Sequence, residues 1–309
     1  MMASLTVLRP GMLTTIQDLG RWGQQHVGVP AAGPMDWFAH RLANQRLGNA
    51  DDDAALEITL MGPELLADDD VTCVVTGAEF EVTAGDRRTR AGEPFVARAG
   101  ERIRFGARLS GARAVLAVAG GIRVDPVLGS RATSLSSRIG PFGGRALKIG
   151  DVLPVRRGGR VTARSAGRPL HATRNGARVR VMLGPHQARF SAAALRTLSS
   201  SRFLVTPESN RMGYRLDGPR LEFTGAADIL SDATPIGSVQ VPASGHPILL
   251  MADRQTTGGY PKIATVITAD LPLAGQLAPG DWIEFEPCSR TTALDALRRR
   301  TAALEGRTE

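Results

Sequence analysis

A chain of 309 residues, 42% hydrophobic and 22% charged, has room for two ordinary domains or one large one and is too apolar to remain unfolded. Its 35 glycines and 19 prolines favour a β-rich architecture with many turns. No apolar run reaches the ~20 residues that span a bilayer, and residues 1–10 lack a charged segment followed by an apolar signal core, so a cytoplasmic, non-membrane protein is expected. The net charge of +8 is concentrated in residues 156–180, which hold eight arginines and no acid; the rest carries 30 basic and 30 acidic side chains. That stretch has no aromatic side chain on which a base can stack, and nucleic-acid binding is not expected.

In chain order, residues 5–8 read as a first strand. A polar, glycine-punctuated segment follows, in which Gln17, Asp18 and Arg21 lie close together. With Asp36 they form a second candidate patch. Pro34 suits a first helical turn, Asp36 complements the helix dipole, and Met35, Phe38, Leu42 and Leu47 recur at helical spacing, so a helix is expected over 34–47. Short strands are expected at 55–60, 71–76, 80–83, 94–97, 101–105, 113–119 and 151–155, separated by glycine corners, which argues for a closed β-barrel or a sandwich.

Residues 156–178, rich in Gly, Arg, Ser and Thr, read as an interdomain linker. The domains expected are therefore 1–155, β-rich; 179–290, a second β domain; and 291–309, a C-terminal helix and tail. Within the second, Ser191 caps a short helix, 203–206 and 236–241 are strands, and Pro279-Gly280-Asp281 turns into a closing strand. The C-terminal helix places Leu294, Leu297 and Leu304 on one side. Three glycine turns echo one another, each followed by an acidic residue and an alternating strand: Gly100-Glu101, Gly150-Asp151 and Gly280-Asp281.

The stretch around which the chain is organised is 252–270, A-D-R-Q-T-T-G-G-Y-P-K-I-A-T-V-I-T-A-D, flanked by apolar strand-like runs. It packs Asp253, Gln255, Thr256, Thr257, Tyr260 and Lys262 around Gly258 and Gly259, a pair that lets a ligand or another backbone approach closely. Two readings stay open for it, a long hairpin loop with turn residues and a ligand loop held by two strands. Lys262 is one of only two lysines, the other being Lys148. Lysine carries and releases a proton more readily than arginine does. Before this stretch, N-R-M-G-Y-R-L presents Arg211, Tyr214 and Arg215 around Gly213, and Gln240 sits on a strand.

Several chemistries have no recognisable motif here. There is no G-x-x-x-x-G-K-[ST] loop for ATP, no H-E-x-x-H or Cys/His cluster for a metal, and no G-x-S-x-G elbow. No lysine stands in the Met-Lys-Met setting of a biotin carrier. ATP or biotin, if used, is expected to be handled through another chain. Cys73 and Cys288 are far apart and fit a reducing compartment, with a single disulfide left open.

T-T-I-Q-D-L-G-R-W-G, the G-P-M-D helix entry with N-Q-R-L-G-N, L-E-I-T-L-M-G-P, A-V-A-G-G-I, N-R-M-G-Y-R-L and the long block G-S-V-Q-V-P-A-S-G-H-P-I-L-L-M-A-D-R-Q-T-T-G-G-Y-P-K resemble the biotin-dependent carboxyltransferase-like family. That family includes allophanate hydrolase subunit 2, KipA and the C-type component of bacterial 5-oxoprolinase. The resemblance implies cyclophilin-like β-barrel domains, a B-type (KipI-like) partner and, in 5-oxoprolinase, an A-type partner. This sequence departs from the family pattern at Asn210, where aspartate is usual, and at Ala188, where an acidic residue is frequent. Both changes remove negative charge.

Three functions follow from the resemblance. The first is a component of an ATP-dependent 5-oxoprolinase, opening a small cyclic amide to glutamate. In it Arg211 and Lys262 bind anions, Asp253 and Tyr260 orient or transfer protons, Gln240 and Gln255 read the amide edge, and Tyr214, Thr256, Thr257, Gly258 and Gly259 shape the substrate site. The second is a biotin-dependent carboxyltransferase component acting on urea or a related amide. The third is a non-catalytic regulatory binding protein, an antagonist of a kinase inhibitor.

Overall fold

The computed structural model describes residues 2–156 and 175–306. The chain divides into two compact units, one of residues 2–21, 32–156 and 301 onward, the other of residues 22–31 and 175–300. The architecture is mainly β in both, as expected. Most of the expected linker, residues 157–174, lies outside the described residues. Its two ends belong to strands, Val152–Arg156 and Gly176–Leu183.

Among the described residues the first unit has nine strands: β1 (Met2–Arg9), β2 (Leu13–Gln17), β3 (Ala55–Thr59), β4 (Glu64–Ala67), β5 (Val71–Ala84), β6 (Arg87–Arg88), β7 (Phe95–Ala97), β8 (Arg102–Val118) and β9 (Val152–Arg156). They form one sheet in the order β2-β3-β8-β4-β1-β9, with β5 on β8 and the short β6 and β7 on β5. The stretches 71–83 and 101–119, each expected as two strands, are single long strands with register shifts between Gly77 and Val82. One face of the sheet closes over Leu5, Leu56, Leu65, Ile103, Leu116 and Leu153. On the other face, helix Trp37–Arg46 lays Ala39 and Ala43 on Ala55, Val74, Val115 and Ala117. Being covered on both faces, β3 and the second half of β8 are buried without alternation. The helix starts where Asp36 accepts the Ala39 N–H at 2.8 Å.

The second unit is a closed seven-strand barrel. Its strands are β10 (Gly176–Leu183), β11 (Phe203–Val205), β12 (Gly213–Asp217), β14 (Ser238–Gln240), β15 (Ile248–Leu250), β17 (Lys262–Val266) and β18 (Trp282–Pro287). The order around the barrel is β10-β17-β14-β15-β12-β11-β18, and a parallel β10–β18 pair closes it. Two short strands, β13 (Asp232–Ala233) and β16 (Thr257–Gly258), make a separate ribbon. The flanks of the 252–270 stretch are therefore strands, β15 and β17, but they do not pair with each other. β14 lies between them, and the chain crosses its end.

Candidate functional site

Crossing β14 leaves the 252–262 segment without a hairpin partner of its own, and residues 229–234 supply one. Thr257 pairs with Ala233 and Gly258 with Asp232; the Ile229 N–H donates to the Gly259 carbonyl at 2.9 Å and the Thr234 N–H to the Thr256 carbonyl at 3.0 Å. The Thr234 hydroxyl donates to the Gln255 carbonyl. Thr256, Thr257 and Gly259 thus act through their main chain, as members of a ribbon.

Gln240, on β14 and buried, stands beneath this ribbon. Its Nε2 lies 3.4 Å from the Tyr260 carbonyl, and Gln255 Nε2 lies 3.4 Å from Gln240 Oε1. Both contacts are at the outer limit of hydrogen bonding, so a ligand with better geometry can displace them at little cost. Gly258 packs against the same amides. A Cβ placed there would meet Gln240 Nε2 at 2.9 Å, Gln255 Nε2 at 3.1 Å and Thr234 Cγ2 at 3.3 Å.

In front of the amides is a cavity of about 210 Å³. Gln240, Gln255 and Tyr260 line it with Asn210, Arg215 and Glu208, over a floor of Met212, Ile248 and Leu250. The Tyr260 side chain is 41% exposed at its mouth. A second cavity of about 400 Å³ shares Glu208, Arg215 and Ile248 with the first and continues past Asp217 and His246.

Arg211 and Asp253 are together, but neither lines the cavity. Arg211 Nε meets Asp253 Oδ2 at 3.1 Å and Nη2 meets Oδ1 at 3.0 Å, with the residues only 3% and 1% exposed. The Asp253 N–H also donates to the Arg211 carbonyl at 2.8 Å. This doubly hydrogen-bonded pair clamps the start of the loop to the turn before β12. Tyr214 is buried on the inner face of β12, and its neighbour Arg215 points outward into the cavity.

Lys262 is directly opposite Gln240 across β14 and β17, at a register shift, and is 2% exposed. Its ammonium lies 3.1 Å from Asp232 Oδ2, an ion pair with a half-exposed carboxylate. Among the described residues no acceptor completes good hydrogen-bond geometry with Lys262 Nζ. A buried ammonium with spare donors is costly unless a ligand or water takes them. The close contact from Lys262, then the Ala233 N–H and the lysine charge, hold the Asp232 carboxyl below its usual range. His186 Nδ1 accepts the Lys262 main-chain N–H at 3.1 Å. Burial, and then the Lys262 charge, push the His186 imidazole below its usual value, so it stays neutral near pH 7. Next to Asp253, burial draws the Arg254 guanidinium down to about 10; its Nε donates to the Thr234 carbonyl at 2.7 Å.

The structure therefore gathers Gln240, Gln255, Gly258, Tyr260 and Lys262 from the expected set. It adds Arg215, Asp232 and His186, which sequence reasoning did not select. Arg215 was legible in the alternation along β12, where Tyr214 turns in and Arg215 out. Asp232 and His186 arrive from 30 and 76 positions away in the chain, and nothing near Lys262 in the sequence signals them.

The second patch is in the first unit and acts as a frame for a loop. Gln17 Nε2 donates to the Thr133 carbonyl at 3.0 Å. Arg21 donates to the carbonyls of Val127 and Ala132, both at 2.8 Å, and Asp18 accepts the Ser130 hydroxyl at 2.6 Å and the Arg131 N–H. Asp36 serves the helix as its N-cap. Among the described residues no group of three or more His, Cys, Asp or Glu side chains is arranged to hold a metal ion, and Cys73 and Cys288 are free thiols.

A closed barrel and a broad antiparallel sheet, with a polar loop over the barrel's end, make up the architecture of a carboxyltransferase domain. The chain belongs to that family: the carboxyltransferase domain, subdomain A and B, matches residues 27–287. It is 40% identical to the C-type component of 5-oxoprolinase from Escherichia coli over 94% of each chain. To the corresponding component from Haemophilus influenzae it is 36% identical, over 94% of this chain and 93% of that one. The crystal structure of the K. lactis urea amidolyase superposes with a TM-score of 0.91 at 31% identity, over 99% of this chain and 20% of that one.

Proposed function

We propose that this chain is the C-type component of a 5-oxoprolinase and that it holds the cyclic amide in the cavity beneath residues 255–260. The observation that carries the reading is the likeness to C-type 5-oxoprolinase components, which spans 94% of this chain and 93–94% of theirs, at 36–40% identity. The site chemistry supports it. A five-membered lactam presents one N–H and one C=O on a rigid edge, and two loosely engaged carboxamides, Gln240 and Gln255, supply the matching acceptor and donor. Arg215 gives the ring's carboxylate a guanidinium at the cavity wall. Lys262 places positive charge next to Gln240, where the lactam oxygen gathers negative charge as the amide is activated. Tyr260 covers the mouth. Arg211 and Asp253 take a positioning role and fix the loop's first residue.

A cavity of about 210 Å³ is of a size for a small ring such as a five-membered lactam. No step is assigned to ATP in this cavity. Phosphoryl chemistry is assigned to the assembled complex with A-type and B-type partners. The test is ATP-dependent glutamate release from 5-oxoproline by the three co-expressed chains. Turnover that needs this chain supports the reading, and equal turnover without it refutes it.

A second reading is favoured by the close superposition on urea amidolyase. On it, Gln240 and Gln255 would hold the ureido ring of a biotin carried by another chain, whose edge matches two carboxamides as a lactam does. That group supplies the transferable carboxyl. Carboxylation of urea in place of glutamate release would select this reading.

A further inference from the structure

A larger cavity, about 550 Å³, is in the first unit. Its wall is a single cross-strand row. Arg9 on β1 is opposite Glu64 on β4, Glu64 opposite Arg104 on β8, Arg104 opposite Thr83 on β5, and Thr83 opposite Arg88 on β6. Directly opposed residues share a face, so these five side chains stand together on the sheet. The same face carries Arg102 and Glu81, two positions along from Arg104 and Thr83.

Glu64 organises the row. Its Oε2 accepts from Arg9 Nη2 at 2.6 Å and Nε at 2.9 Å; its Oε1 accepts from Arg102 Nη1 at 3.0 Å and Arg104 Nε at 3.2 Å. Burial works against its charge, and the three arginine hydrogen bonds outweigh it, so the carboxyl stays below its usual range. The carboxylate is 7% exposed while the Arg9, Arg102 and Arg104 side chains are 75%, 50% and 45% exposed. One sunken carboxylate thus holds three guanidinium groups at the surface. The cavity itself is lined by three arginines, Arg9, Arg88 and Arg104, and two carboxylates, Glu64 and Glu81. Strand spacing puts Arg9 and Arg88 each about 10 Å from Arg104. Met61 and Phe105 add apolar surface, and the Phe105 ring is braced edge-on by Phe80.

We propose that this row is a binding site for a small organic oligoanion, one carrying two or more phosphate or carboxylate groups on a compact apolar body. The volume falls within the range of small-molecule sites. Guanidinium pre-positioned by Glu64 loses little freedom on meeting an oxyanion, which lowers the cost of binding. The site is independent of the 5-oxoprolinase reading, because it uses no residue of the barrel.

The test is calorimetric titration of the full chain at fixed ionic strength of about 0.15 M, where unspecific surface charge is screened beyond ~8 Å. The probes are inorganic phosphate, pyrophosphate, tripolyphosphate and the tricarboxylate tricarballylate. One saturable site is expected, tightening along the phosphate series, and weakened at least tenfold by Arg104→Gln and by Arg88→Ala. The exposed Arg88 substitution leaves the Glu64 cluster intact, so its effect is not one of misfolding. Arg196→Ala, on the second unit, leaves binding unchanged. Tighter binding of tricarballylate than of tripolyphosphate assigns the site to carboxylates and the reverse to phosphates. Absence of saturable binding, or equal binding by the Arg88 and Arg104 variants and the parent, overturns the proposal.

Discussion

Gln240 and Lys262 stand opposite each other on neighbouring barrel strands, where a shift of register places an amide next to a buried ammonium. The ammonium reaches Asp232 at 3.1 Å, and the amide touches the loop that crosses above. Lys262→Met keeps the aliphatic stem and removes the charge. It is expected to lower kcat of the reconstituted enzyme by about 100-fold or more, the scale of losing a charge-stabilising donor. Asp232→Asn, at a half-exposed residue, should change kcat by less than tenfold. Steady-state kinetics of the two variants, with melting temperatures alongside, checks the order.

Gly258 and Gly184 separate a ligand effect from a packing effect. At Gly258 an added methyl meets the ends of two flexible glutamines, and the backbone needs no positive φ. Gly258→Ala should raise KM for the amide several-fold with melting within a few degrees of the parent. At Gly184 the methyl would lie 2.2 Å from the Lys262 carbonyl oxygen, a main-chain atom that cannot turn away. Gly184→Ala should destabilise the barrel by about 2 kcal/mol or more, within the range for strained or overpacked sites. Denaturant unfolding and KM, measured on both, tell the two apart.

Much of this was legible in the sequence. The helix at Trp37–Arg46 is marked by Asp36 and by its apolar spacing, and the strand runs in both halves are recognisable because β-branched and aliphatic residues fill them. The three echoing glycine turns share one device: Glu101, Asp151 and Asp281 each accept the N–H three residues earlier, from Arg98, Lys148 and Ala278, at 2.8–2.9 Å. Strand β2 was hidden. Thr14, Thr15 and Gln17 look like surface residues, yet all are buried and each makes a side-chain hydrogen bond. The last helix does not bury its leucines alike: Leu294 is 44% exposed, while Leu297 packs on Ile267 and Ala269. The sequence reading gives the anion to Arg211 and leaves Arg215 without a role. Long-range pairing with Asp253 decides that the first is clamped and the second faces the cavity.

Arg211 and Asp253 are expected to behave as one unit. Removing either partner leaves a buried charge, so Arg211→Met or Asp253→Ala should cost about 3–5 kcal/mol. The double variant should cost clearly less than the two single losses added together, because it strands no charge. Urea unfolding of the three variants measures the coupling.

His40 gives the first unit a pH dependence. Burial draws its imidazole down to about 4, against the opposing pull of Asp18, and Asn44 Nδ2 lies 3.2 Å from its Nε2. The folded value is below the unfolded value of ~6.5, so between them the unfolded chain binds a proton that the folded chain does not. The His40 contribution to stability is fully present above pH ~6.5 and is lost as pH falls toward 4, by on the order of 3 kcal/mol. His40→Gln should flatten that slope in unfolding measured between about pH 4 and 7.

The measurement that bears most directly on the lactam's placement is kcat/KM for glutamate release from 5-oxoproline by the reconstituted complex, with Gln240→Ala and Gln255→Ala introduced together into this chain. The complex should assemble normally and kcat/KM should fall at least tenfold, with most of the change in KM. Unchanged kcat/KM in the doubly substituted complex would contradict the placement of the lactam in this cavity.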